Sequence, residues 1–542
     1  MVVGRLFYWQ ILSWELLQGL AESQTATSLS IPARRGLIFA ADSSPLVMNQ
    51  KAFLVYGEPK QIKNTKEVSQ ILAKELHIPL ATVSAKLEDS SRVWVSIASK
   101  VDDKKVEILK NSKLEGVGFI EEAKRYYPEA SMAAHLLGFV GKNAKGDDQG
   151  YFGLEGYYDE QLRGRAGVYR QEKDAKGNPI LTGKLEEIPP ENGRDLYLTI
   201  DKTVQFIAEQ KLKEGIEKYG AKGGSVVVMD PYTGGILAMA SYPSYDPGEF
   251  SKYPGEFYQN PAIASSYEPG STFKVLVMGA ALNEDKVKPE TKYNEEGPIE
   301  IGEFTIKTWN QEYHGEITLT QVLEYSSNVG MVFVGKQLGA ENLLKYIENL
   351  GFGSPTEVDL QEEFSPPLRQ KKKWTEIDYA TASFGQGIAM TPLQMVRAVA
   401  AIANGGNLVR PYLVKSIRVN DNKVINISPK VERVVFRRDV AAMVTEMMAS
   451  SVENGETKFL KPLGFRIAGK TGTAQIPIQG HYDTEKTIAS FVGFAPTRRP
   501  KFVMLVTVRE PTTSPWGSET AAPMFFSIAK ELFTYYGISP SD

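Results

Sequence analysis

A polar stretch at 171–194, carrying Asn178-Pro179, Pro189-Pro190 and Asn192-Gly193, interrupts the 542-residue chain and reads as a linker or exposed hairpin. It places a domain boundary near residue 193. Before it, from Ser28 to Val55, short apolar runs alternate with turn residues such as Arg34-Arg35-Gly36 and Asp42-Ser43-Ser44-Pro45, the text of strands. Residues 66–112 switch to helical spacing with dense charge, which predicts a small helical insertion. Strand-and-turn text then resumes through Gly138–Gly141 and Gly150–Gly167. Beyond the boundary, Asp195–Ile200 reads as a strand, Lys202–Tyr219 as a helix, and Ser225–Met229 with Gly235–Ala240 as a hairpin. Thr391-Pro392 supplies the N-cap and first turn of a helix, Phe465–Ala468, Ala489–Phe494 and Phe502–Val508 read as strands, and a helix runs from about Ala522 to Tyr535. Helices set between strands of one sheet indicate a mixed α/β or α+β domain.

The inventory of reactive groups is narrow. With 62 Lys+Arg against 65 Asp+Glu the net charge is −3, and no field for nucleic acid is present. The absence of cysteine removes thiol nucleophiles, disulfides and thiolate metal sites together. The four histidines, His77, His135, His314 and His481, show no ligand spacing and supply a Ser-His-Asp triad poorly. A covalent catalyst built from this chain must therefore use Ser, Thr, Lys or a carboxylate. At the amino terminus, residues 1–20 are apolar but broken by Arg5, Gln10 and Glu15, too interrupted for a spanning helix. Either the outer end of a signal anchor or an interfacial segment fits, and apolar residues on nearly all sides favour the first. Residues 1–22 are read as the remnant of a membrane anchor with its juxtamembrane segment.

Gly464-Phe465-Arg466-Ile467-Ala468-Gly469-Lys470-Thr471 satisfies the Walker A pattern letter for letter. A P-loop must open a helix, and Gly-Thr-Ala-Gln-Ile-Pro-Ile-Gln-Gly after Thr471 cannot sustain one. Lys470-Thr471-Gly472 reads better as part of a strand. Ser271-Thr272-Phe273-Lys274 follows Pro269-Gly270 and precedes a long apolar run, so Ser271 is expected at or near a helix start with Lys274 on the same face. A second Ser-x-x-Lys, Ser527 to Lys530, lies inside an apolar helical run and is explained by packing and an exposed lysine. Ser326-Ser327-Asn328 falls between two helical stretches, Leu319–Tyr325 and Val329–Gln337, as a break between helices.

Taken in order, Ser271-x-x-Lys274, Ser326-x-Asn328 and Lys470-Thr471-Gly472-Thr473 resemble the active-site signature of penicillin-binding proteins and serine β-lactamases. The text LTID ending at Asp201, MDPYTGGILAMASYPSYDP, GQGIAMTPLQ and SFVGFAP is similar to the transpeptidase domain of class B penicillin-binding proteins, closest to the division-specific group. Arg35-Gly36, Arg125-Tyr126-Tyr127-Pro128 and Gly153-Leu154-Glu155 resemble their N-terminal pedestal. The turn Ile38-Phe39-Ala40-Ala41-Asp42-Ser43-Ser44 departs from the Asp-Arg-Asn-Gly-like turn usual there. No glycosyltransferase-like text precedes the pedestal, which speaks against a bifunctional class A enzyme.

The resemblance implies an α+β fold: a transpeptidase domain with an antiparallel sheet flanked by helices at 194–538, on an elongated, mostly β pedestal at 23–193. It implies a peptidoglycan D,D-transpeptidase in which Ser271 attacks the D-Ala-D-Ala bond of a stem peptide, with Lys274 as general base. Ser326 would relay a proton to the leaving amine, Asn328 would hold the stem-peptide amide, and Lys470 would set the field. Thr471 and Thr473 would bind the terminal carboxylate, Gly472 would keep a Cβ out of the substrate's way, and the amides of Ser271 and Thr473 would form the oxyanion hole. No metal or organic cofactor is implied. β-Lactams would acylate Ser271, a membrane glycosyltransferase and division-complex proteins would be partners, and the enzyme would face outward from the bacterial cell membrane. A D,D-carboxypeptidase, a β-lactamase-like hydrolase and a catalytically idle penicillin-binding scaffold or sensor share the same motifs.

Overall fold

The computed structural model describes residues 2–15, 26–89, 91–172, 185–420, 423–478 and 481–540. Asn178-Pro179 lies outside them. The helices that matter for the site are α1 (Lys202–Tyr219), α2 (Lys274–Asn283), α3 (Leu319–Glu324), α4 (Asn328–Leu338), α5 (Pro392–Ala403), α6 (Arg438–Asn454) and α7 (Ala521–Tyr535). The central sheet comprises β1 (Gly223–Met229), β2 (Ile236–Tyr242), β3 (Ala468–Ile478), β4 (His481–Ala495) and β5 (Phe502–Arg509). Its order is β2-β1-β5-β4-β3, antiparallel throughout.

The near-continuous apolar runs of β1 and β5 follow from burial on both faces. Val226 and Val228 join Met504, Val506 and Val508 under α1 and α7, while Val227, Met229, Val503 and Leu505 face the larger core on the opposite side. Alternation with period two sends neighbouring valines into different cores. Helix α5 lies in that larger core, and all of its residues are buried. Its start is as expected: Thr391 and Gln394 close a capping box, with Pro392 in the first turn. β3 forms the sheet edge. It begins at Ala468, later than the expected strand at Phe465, because Phe465 and Ile467 pack against the α7 side of the sheet before pairing starts.

In the N-terminal part, the long strand Pro45–Gly57 pairs antiparallel with both Val95–Asp102 and Val117–Tyr126. The expected helical insertion at 66–112 is only partly helical. Helices Thr65–Leu76, Leu80–Leu87 and Asp103–Asn111 are joined by the strand Val95–Asp102, whose Val95, Ile97 and Val101 point into a small core. The alternation is broken at Ser99, an exposed polar residue where an inward apolar one is due, and at Lys100, which takes a φ of 59°. The atypical turn also closes a hairpin: Ala40 and Ser44 are bridged by a backbone hydrogen bond, Ser43 takes a φ of 67°, and the Ser44 amide donates to Asp42 Oδ1 at 2.9 Å.

Residues on the two sides of position 193 share one sheet. Strand Asp195–Leu198 runs parallel to Ile38–Phe39 and antiparallel to Val414–Asn420. Val2–Phe7 is α-helical and Tyr8–Leu12 π-helical, and no helix among the described residues is long and apolar enough to cross a membrane.

The pedestal text singled out by resemblance converges on one buried carboxylate. Glu155, fully buried, accepts from Arg35 Nε at 2.7 Å and Arg125 Nε at 2.6 Å. Arg35 also donates to Asp159 at 2.8 Å, and Arg125 to Asn49 at 2.9 Å. Burial pushes the Glu155 carboxyl up, but Arg125 and Arg35 outweigh it and hold it below its usual value. Removing the carboxylate would leave Arg125 with only the neutral Asn49 as side-chain partner and Arg35 with Asp159 alone, in a dry site. Glu155→Ala is expected to destabilise the fold by about 3–5 kcal/mol, measured as a shift of the urea midpoint at unchanged slope.

Candidate active site

Ser271 sits in a 3-10 turn, Gly270–Phe273, that runs directly into α2. The α-helix itself starts at Lys274, so the serine lies in the turn that leads into it, near the helix start as expected. Gly270 makes the entry, with a φ of +54° and its amide donating to Gly385 O at 3.1 Å. A Cβ on Gly270 would come within 2.8 Å of Thr473 O, so the serine turn lies hard against β3.

Lys274 has no exposed surface. Its Nζ donates to Ser326 O at 2.7 Å, Asn328 Oδ1 at 2.8 Å and Ser326 Oγ at 3.3 Å. All three acceptors are neutral oxygens. Burial pushes this lysine well below its ordinary value, the charge of Lys470 adds to the effect, and Glu456 and Glu295 oppose it. A neutral amine has two N–H groups, enough for the carbonyl and amide oxygens, which cannot donate, and keeps a lone pair with which to accept a proton.

The second motif occupies the break between α3 and α4. Helix α3 is fixed by a capping box from Thr318 and Gln321, and Ser451 of α6 donates to Leu323 O at 3.2 Å. Ser326 then takes a φ of +55°, uncommon for a residue with a Cβ. Ser327 caps α4, accepting from the Gly330 amide at 2.9 Å and donating to the buried carboxylate of Glu295. Asn328 Nδ2 donates to Lys307 O at 2.9 Å, which orients its Oδ1 toward Lys274.

Lys470-Thr471-Gly472-Thr473 lies within β3, each residue paired with β4: Lys470 opposite Val492, Thr471 opposite Phe491, Gly472 opposite Ser490 and Thr473 opposite Ala489. A P-loop is excluded, because no helix follows Thr471. Lys470 is buried, its Nζ donating to Thr471 Oγ1 at 3.0 Å, and burial lowers its proton affinity against the pull of Glu456. The Thr473 hydroxyl accepts from the Gly517 amide at 3.0 Å and keeps its own proton to donate. The Ser527–Lys530 pair, by contrast, projects from the exposed face of α7.

Gly472 also has a role within the protein. A Cβ there would meet Ser490 Oγ at 2.5 Å, Thr272 Cγ2 at 2.8 Å and Pro269 O at 3.0 Å, all within the protein. The glycine lets the serine turn dock on the strand; what a Cβ obstructs is that turn. Two carboxylates were not singled out in the sequence, Glu295 and Glu456. Neither belongs to a short motif, and each reaches the site only through folding, Glu295 by way of Ser327 and Glu456 by way of Thr471.

This arrangement can be set beside known proteins. Residues 224–532 match the penicillin binding protein transpeptidase domain, and residues 30–198 match the penicillin-binding protein dimerisation domain. The chain belongs to the class B penicillin-binding proteins. It is 34% identical over 543 residues to stage V sporulation protein D of Bacillus subtilis, covering 99% of this chain and 83% of that protein. It is 31% identical over 550 residues to the peptidoglycan D,D-transpeptidase FtsI of Escherichia coli, covering 99% and 90%. Among solved structures, a peptidoglycan synthetase from Bifidobacterium adolescentis superposes with a TM-score of 0.77 at 27% identity, covering 95% of this chain and 98% of that one. In this penicillin-binding protein, Gly472→Ala is expected to push the serine turn off β3 and slow acylation by roughly 100-fold. Stopped-flow measurement with a fluorescent penicillin, with melting temperature as the control for folding, checks this.

Proposed function

We propose that this protein is a peptidoglycan D,D-transpeptidase working through an acyl-enzyme on Ser271. The reading rests above all on Lys274: fully buried, bonded only to neutral oxygens and depressed in proton affinity, it has the properties of a general base at neutral pH. Lys274 takes the Ser271 proton as Oγ attacks the carbonyl between the two D-alanines of a stem peptide. The tetrahedral oxyanion is held by the backbone amides of Ser271 and Thr473, a device worth about 3–4 kcal/mol per donor. Ser326, hydrogen-bonded to Lys274, passes the proton to the departing D-alanine nitrogen. Asn328 positions the stem-peptide amide, Lys470 sets the electrostatic field, and the Thr471 and Thr473 hydroxyls receive the terminal carboxylate. The acceptor amine of a second strand then attacks the ester by the reverse of these proton transfers, forming the cross-link and freeing Ser271.

Residues 23–193 serve as the pedestal and 194–538 as the catalytic unit, with residues 1–22 belonging to a membrane anchor that holds the enzyme at the outer face of the cell membrane. The partners are a membrane glycosyltransferase and proteins of the division complex. The chemistry calls for no cofactor.

Incubation with benzylpenicillin followed by intact mass analysis is expected to show one penicilloyl adduct on the wild type and none on Ser271→Ala. Equal labelling of both, or of neither, refutes the assignment. With a stem-peptide donor and an amine acceptor the product should be a cross-linked dimer; hydrolysed donor alone would indicate a carboxypeptidase or β-lactamase-like enzyme. Lys274→Ala should slow acylation by about 10²–10⁴-fold. Because the base must be neutral, acylation rises as pH passes the lowered Lys274 value. Lys470→Met removes a charge that helps to lower it, so the acid limb of the pH–rate profile should move to higher pH.

A further inference from the structure

Thr471 carries one of the two hydroxyls assigned above to the acyl donor's terminal carboxylate, and a carboxylate of the protein already engages it. Its Oγ1 donates to Glu456 Oε2 at 3.1 Å while accepting from Lys470 Nζ at 3.0 Å. Glu456 stands just beyond the end of α6, in Asn454-Gly455-Glu456-Thr457, and beside the same internal space as Glu324, Ser451, Thr457 and Lys470. Among the described residues, Thr471 is its recorded hydrogen-bond partner, and no lysine or arginine forms an ion pair with it. The residue as a whole is exposed, so its carboxylate has water to move into. Its field nevertheless reaches both catalytic amines, raising the proton affinity of Lys274 and of Lys470.

A threonine hydroxyl has one proton to donate. A substrate carboxylate and Glu456 cannot both receive it, and two like charges brought to one hydroxyl repel. We propose that Glu456 is a specificity-determining residue, a carboxylate of the chain that occupies part of the terminal-carboxylate subsite and must be displaced by an acyl donor bearing that group. This rests on the Ser271 reading and sharpens it. The subsite is built to hold a carboxylate, and in the free enzyme it holds one of its own. Donors with a free carboxylate bind against this competition, while donors lacking it do not meet it.

The test compares the second-order rate of Ser271 acylation by a penicillin carrying its free carboxylate with that by its methyl ester, in wild type, Glu456→Gln and Glu456→Ala. Gln keeps the shape and an acceptor for Thr471 but removes the charge; Ala vacates the position. The acid-to-ester rate ratio is expected to rise roughly tenfold in Glu456→Gln and at least as much in Glu456→Ala. The gain should shrink as salt screens the wild-type repulsion. The ratio is insensitive to the fraction of folded enzyme, so a merely structural role would leave it unmoved. A ratio that is unchanged, or a parallel loss with both compounds, overturns the proposal while leaving the Ser271 assignment standing. No adduct on any form, wild type included, overturns both.

Discussion

Burying a primary amine without an anionic partner in contact is the constraint around which the catalytic half of this protein is arranged. Lys274 begins a helix whose residues from Lys274 to Leu282 are all buried, and its Nζ meets a backbone carbonyl, an amide oxygen and a hydroxyl. Had a carboxylate stood in hydrogen-bond contact, the amine would have been held as an ammonium and lost as a base. The nearest influences of that kind, Glu295 and Glu456, act from behind other side chains, Ser327 and Thr471. Lys470 supplies the opposite charge effect from the sheet edge. Burial is the largest of these influences, and with Lys470 it outweighs the two carboxylates and lowers the proton affinity of Lys274.

That balance depends on three pieces of chain meeting within a fraction of an ångström. The serine turn docks on β3 because Gly472 leaves room for Thr272 and Pro269, and because Gly270 leaves room for the carbonyl of Thr473. The α3–α4 break reaches Lys274 because Ser326 adopts a left-handed conformation that turns both its carbonyl and its hydroxyl inward. Behind each piece stands extensive burial: α5 fills the larger core, α6 braces α3, and α1 with α7 covers the opposite face of the sheet. Rigid packing of this sort fixes reacting groups that are far apart in the chain, which is where positional catalysis originates.

Much was legible before folding was considered. Helix α1 occupies Lys202–Tyr219 as its periodicity required, Thr391-Pro392 starts α5, and the break at Ser326-Ser327 falls between helices, because capping and periodicity are local properties. The rejected Walker pattern was decided the same way, by what could follow Thr471. Less legible was the strand Val95–Asp102, whose inward residues Val95, Ile97 and Val101 are interrupted at Ser99 and Lys100 in a segment dominated by helices. Its assignment comes from pairing with Pro45–Gly57, a partner some forty residues away.

The order Ser271, Lys274, Ser326, Asn328, Lys470, Thr471, Gly472, Thr473 pointed from the sequence alone to a serine–lysine catalyst, because it resembles the penicillin-binding signature in a chain with no cysteine and no histidine in these motifs. Tertiary structure alone decided the electrostatics. Whether Lys274 is buried, which oxygens it meets, that Gly472 serves the serine turn, and that Glu456 lies on Thr471 are matters of distance between segments the chain separates. Desolvation and Coulomb interactions are set by proximity in space, and no local pattern encodes them.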